Sequence, residues 1–248
     1  MIVRVFGHSL WVVFLTLLTQ LGGVAWLIAL LFRRRLLVFL IAYGALAIGA
    51  SAVAPLFGRV ALSCWREGPL QVQSWFYCAA NRVYVTPELA AALEDVAETV
   101  DAAHPGAITL VLDGSFPFID GFPLLPHLSH DDGEKADLAF FYADDRGYAP
   151  GLTRSPIGYF AFEDGPTSCP AAGLSLRWDL APLQPLWREA RLEPRRTRAL
   201  LKALAQDPRI GKILLEPHLR DSLRLSHPKI RFQGCRAARH DDHIHVQL

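Results

Sequence analysis

Little in this 248-residue chain points to nucleotides or nucleic acid. It has no GxGxxG, no GxxxxGK and no internal repeat, so phosphate-cradling loops of those kinds are excluded. Its 25 basic and 24 acidic residues leave a formal charge of +1, which gives no footprint for a nucleic-acid partner. Cysteine is sparse. Cys64, Cys78, Cys169 and Cys235 form no CxxC pair, which argues against a thiolate metal site. In an exported domain they could form disulfides, and three pairings are possible.

Charge is missing altogether from two long stretches near the start. Ser9 to Phe32 carries no Asp, Glu, Lys or Arg, and after Arg33, Arg34 and Arg35 the same holds from Leu36 to Phe57. Each stretch is long enough to cross roughly 30 Å of hydrocarbon as a helix. These runs raise hydrophobic content to 52% and mean hydropathy to +0.23. Residues 1–57 are therefore expected to form a two-helix transmembrane hairpin in the lipid bilayer of the cytoplasmic membrane. A buried hairpin in a soluble core and a signal peptide ending near Ala50, Ala52 and Ala54 are the alternatives. Short Arg-rich loops stay cytoplasmic, which places residues 58–248 on the periplasmic or exterior side. Arg4, Arg59 and Arg66 flank the other ends and weaken that bias without reversing it.

Residues 58–248 read as one α+β domain. Thr86, Pro87 and Glu88 supply helix-start chemistry, as N-cap, first helical position and first-turn acid, for an amphipathic helix. A second helix is expected over Pro194 to Gln206, and a short one at His218 to Leu225. Strands are expected near Val85, from Ala107, from Ala136, over residues 211–217 and at the C-terminal end. Residues 144–185, rich in Pro and Gly, read as irregular.

Ionisable groups gather in two places. The stretch from His240 to His245, "HDDHIH", holds three imidazoles and two carboxylates. In an extended strand alternate residues share a face, so His243 and His245 point to one site, while His240 needs a bend to join them. The second cluster, "PHLSHDDGEKAD", carries His127, His130 and Asp137, with Gly133 where a turn enters a strand. His130, Asp137 and one C-terminal histidine make a two-His, one-Asp set, the kind of three-ligand set with which catalytic zinc sites leave a fourth position open. Asp131, Asp132, Asp241 and Asp242 read as loop or supporting groups. Glu216, His218 and His227 read as structural or exposed, and Phe140, Phe141 and Tyr142 as core.

"SHDDGEKAD" resembles the SxHxxGxxxD motif of the zinc peptidases grouped around lysostaphin, the D-Ala-D-Ala metallopeptidases and the hedgehog domain, and "HDDHIHV" resembles their terminal HxH motif. The chain looks most like the penicillin-insensitive murein endopeptidases, because "HLSH" and "HDDH" supply the outer histidines of that group. The likeness covers roughly residues 105–248. It implies a small antiparallel-sheet zinc peptidase domain with flanking helices, with one zinc on His130, Asp137 and His245. His243 would be catalytic, with His127 and His240 lining the site. The implied substrate is peptidoglycan, cut at peptide stems, with a D,D-carboxypeptidase, a dipeptidase or a non-catalytic zinc-bearing domain as alternatives. Two departures bear on specificity: the Arg that follows the final motif in that group is Gln247 here, and residues 144–185 show no likeness.

Overall fold

The structure is a computed structural model that describes residues 2–65, 67–167, 169–170 and 176–248. Arg66 and part of the 144–185 stretch lie outside the described residues.

The first apolar run does not form one helix. Helix α1 (Ile2–Thr19) ends at Gln20, whose φ of 65° is left-handed, and α2 (Gly22–Ala29) folds back along it. Side-chain hydroxyls explain the break. Thr16 and Thr19 each bond the carbonyl four residues back, and Thr19 Oγ1 also accepts from Gly22 N at 2.8 Å. A Cβ on Gly23 would lie 1.9 Å from Thr16 Oγ1, so glycine permits the close approach. Helix α3 (Arg35–Val53) extends through a 3₁₀ turn to Phe57, and Arg35–Phe57 is long and apolar enough to cross a membrane.

Helix α3 is also fastened to the rest of the molecule. Tyr43 donates to the Ala79 carbonyl, and Ala50 and Ala54 are buried in the main core. Arg59, just beyond that helix, is buried. Its guanidinium donates to the Phe116 and Asp131 carbonyls and to Asp120, tying the chain after α3 to the loop that carries His127 and His130.

Downstream come β1 (Val60–Ala61), β2 (Leu70–Val72), α4 (Trp75–Ala79), β3 (Tyr84–Val85), α5 (Pro87–Ala103) and β4 (Thr109–Val111). They are followed by β5 (Lys135–Ala139), β6 (Tyr142–Asp144), β7 (Gly147–Tyr148), β8 (Arg191–Leu192), α6 (Pro194–Gln206), β9 (Lys212–Leu214), α7 (Pro217–Ser222), β10 (Ile230–Arg231) and β11 (His243–Gln247). Six strands form the central sheet in the order β10-β9-β11-β5-β4-β2. Its middle is antiparallel, as expected, but both outer pairs, β10 with β9 and β2 with β4, are parallel. Parallel neighbours need a crossover, and here α7 and α5 lie in those connections. The expected strand from Ala136 divides between β5 in the central sheet and β6 in a small sheet with β7 and β8.

One face of the central sheet is core. Ala136, Leu138, Ile213, Ile244 and Val246 are fully buried with Leu89 and Leu93 of α5 and Leu200, Leu201 and Leu204 of α6. Thr86 accepts from Leu89 N as the α5 cap, and Glu193 accepts from Arg196 N at the start of α6. Phe140, Phe141 and Tyr142 are core residues. The cysteines pair as Cys64–Cys78 and Cys169–Cys235.

Candidate metal centre

The alternation that buries Leu138, Ile244 and Val246 turns Asp137, His243 and His245 to the opposite face. There β5 and β11 pair in the register His245 to Asp137, so the two side chains meet across the ladder. His130 arrives from the preceding loop. Gly133 sets the turn between them with φ of 81°, where a Cβ would come within 3.1 Å of Arg59 Nε.

Three electron-pair donors converge. His130 Nε2 lies 3.1 Å from His245 Nδ1 and 3.3 Å from Asp137 Oδ1, and His245 Nδ1 lies 2.9 Å from Asp137 Oδ1. Tetrahedral coordination at about 2.0–2.2 Å separates donor atoms by roughly 3.3 Å or slightly more, so the three atoms nearly mark one face of such a polyhedron. The tautomer of His130 agrees. Its Nδ1 sits 3.0 Å from the Gly114 carbonyl, to which it must donate, so the neutral imidazole that a metal requires carries its lone pair on Nε2, aimed at the site. This buried cluster can hold a metal ion, and it is the one group of its kind among the described residues.

The other histidines surround it. His243 shares a face with His245, with Nε2 3.7 Å from Asp137 Oδ2 and Nδ1 2.5 Å from Asp242 Oδ1. His240 sits in the bend before β11, its ring centroid 5.0 Å from that of His243 and 5.8 Å from that of His245. His127 Nδ1 lies 3.0 Å from Asp113 Oδ2 and 3.3 Å from Asp137 Oδ2. All six anticipated residues line one cavity of about 430 Å³.

Charge in the metal-free site is self-compensating. Burial pushes the Asp137 carboxyl up, but His130 and His243 outweigh it and hold the group well below the usual carboxylate range. Burial disfavours a charged His243, yet Asp137 and Asp242 lift it to about 9. Burial and the neighbouring imidazoles of His243 and His245 push His240 well below its ordinary value.

Sequence reasoning missed two partners. Tyr159, from the stretch read as irregular, donates to Asp137 Oδ2 at 2.7 Å. Asp113, on the turn after β4, is clamped by Arg82, with Nε 2.6 Å from Oδ1, and thereby fixes His127. Asp242 plays a supporting part as expected, orienting His243 and accepting from Phe160 N at 2.6 Å. Glu216 is buried and His218 half-buried. Glu216 holds Arg177 through two hydrogen bonds and accepts from His240 N at 3.3 Å.

No family model matches the chain, and no curated protein matches it.

Proposed function

We propose that this protein is a membrane-attached zinc peptidase that hydrolyses peptide bonds in peptidoglycan stems, with His130, Asp137 and His245 as the zinc ligands. The observation that carries the reading is the triangle of His130 Nε2, Asp137 Oδ1 and His245 Nδ1 at 2.9–3.3 Å, with His243 beside it on the same strand face. Two imidazoles and one carboxylate suit zinc, and three protein ligands leave a position open for water or substrate.

A bound zinc would supply Lewis acidity, lowering the pKa of its water and polarising the scissile carbonyl. The protein's own groups do the rest. His243, oriented by Asp242, takes a proton and returns it to the leaving amine. His127, fixed by Asp113, and His240, buried in the bend before β11, present imidazoles towards the cavity where the scissile carbonyl would lie. Tyr159 holds Asp137 through the oxygen that faces away from the ligand triangle.

Peptidoglycan as substrate rests on the motif resemblance, and two further features support it. Two disulfides suit an oxidising, extracytoplasmic setting, and α3 can provide attachment to the cytoplasmic membrane. Incubating the full chain with purified sacculi, with and without chelator, and weighing the released fragments by mass spectrometry tests the reading. Cross-linked stems cut only in the unchelated sample are expected; release of terminal residues alone would identify a carboxypeptidase instead.

A further inference from the structure

The sheet face that carries the metal triangle continues for one more row. Cross-strand register aligns Asp137, His245 and Leu214 in one row of β5, β11 and β9, and aligns Lys135, Gln247 and Lys212 in the next. Residues two apart on a strand share a face at roughly 7 Å, and neighbouring strands lie about 4.8 Å apart. The opposite face is sealed in the core, so all three side chains of the second row turn to the metal side and line the same cavity.

The charges along this row are unbalanced. Lys135 is paired with Asp132, whereas Lys212 has no ion pair among the described residues. Asp137 is the one acidic side chain lining the cavity among the described residues, and it is committed to the triangle. A cation at the triangle leaves that end of the cavity net positive, and the lysine row makes the other end positive too. A cavity of one sign attracts a ligand of the other. Gln247 stands between the lysines and adds an amide donor.

We propose that Lys212 and Lys135, flanking Gln247 one row beyond the metal ligands, form a subsite for a carboxylate of the substrate peptide. The proposal rests on the peptidase reading for the identity of the ligand. It makes the preferred substrate a peptide with a carboxylate roughly one residue from the scissile bond, supplied by the chain terminus or by the side chain of the neighbouring residue. Apolar contacts from Leu176 and Leu214 line the same cavity, which suits a small alanyl side chain.

The test uses the zinc-loaded full chain and three probes: acetyl-D-alanyl-D-alanine, its C-terminal amide, and acetyl-D-alanyl-D-glutamyl amide, whose only carboxylate is on a side chain. Binding is measured by calorimetry, with zinc content read on every sample so that metal loss does not mimic a weakened subsite. One or both carboxylates should bind about tenfold tighter than the neutral amide, a preference that falls with added salt. Lys212→Met, and more fully Lys135→Met with Lys212→Met, should erase the preference with zinc retained, and Lys212→Arg should keep it. The better of the two acids identifies the carboxylate's source. Equal binding of all three probes, no binding of any, or a preference that survives the double substitution would overturn the subsite. A carboxylate preference without hydrolysis of any peptide would instead reject the peptidase reading and leave the subsite standing.

Discussion

Tyr159 Oη donates to Asp137 Oδ2 at 2.7 Å while Asp137 Oδ1 faces His130 and His245, so one carboxylate is divided between a supporting hydrogen bond and the ligand triangle. Both residues are buried, and the bond fixes the carboxylate's rotation. Tyr159→Phe should lower zinc affinity by roughly tenfold or more without changing the fold. Competition with a chromogenic chelator measures it, and wild-type affinity in the variant would show that the bond is incidental.

The ligand and proton-transfer roles separate by substitution. His130→Ala and His245→Ala should each lose the metal, whereas His243→Ala should bind one zinc per chain and lose turnover by about two to four orders of magnitude. Metal analysis of dialysed protein beside a rate assay distinguishes the roles, and full zinc occupancy in both ligand variants would remove the assignment.

His243 should report on the metal through its proton. In the metal-free protein, burial opposes its charge but Asp137 and Asp242 hold its pKa at about 9, so it is charged at neutral pH. A divalent ion neutralises Asp137 and adds positive charge nearby, and both effects lower the pKa. Imidazole resonances followed against pH should therefore titrate near 9 without zinc and well below that with it. A midpoint that zinc leaves unmoved contradicts the arrangement.

Arg59 links the apolar helices to the site. Its ion pair with exposed Asp120 is worth little, but the buried guanidinium also donates to the Phe116 and Asp131 carbonyls, bonds that a smaller side chain would forfeit. Arg59→Ala should cost about 3 kcal/mol of stability and weaken metal binding by loosening the His127 to Asp137 loop. Denaturant titration checks the first effect and zinc competition the second; a surface-like change under about 0.5 kcal/mol would show that the loop is held by other means.

Much of the site was legible because two local patterns encode it. Strand alternation brings His243 and His245 to one face, and the His130, Gly133, Asp137 spacing specifies a loop, a left-handed turn and a strand. Two supporting groups, Tyr159 and Asp113, were not legible, since their partners are distant in sequence. Tyr159 lies within a Pro- and Gly-rich segment with no periodicity, and Asp113 reads as an ordinary turn residue until Arg82 is placed against it. Hydropathy found the apolar runs but not the break at Gln20, which depends on threonine hydroxyls and a Gly-Gly approach. Nor did it show that Ala50 and Ala54 of α3 pack into the core, because alanine suits either a lipid-facing or a buried helix surface.

Side of the membrane is a separate expectation. Retention of the Arg33 to Arg35 loop in the cytoplasm would place the metal site outside. A reporter active only in the cytoplasm, fused after Leu248, should stay silent, and strong activity would reverse the orientation.

The most direct measurement titrates zinc into chelator-stripped full-length protein while peptide fragments released from sacculi are counted. Release should rise with added zinc, reach its plateau at one equivalent per chain and be absent from His243→Ala at the same occupancy. No release at full occupancy, or equal release by His243→Ala, would contradict the zinc peptidase account.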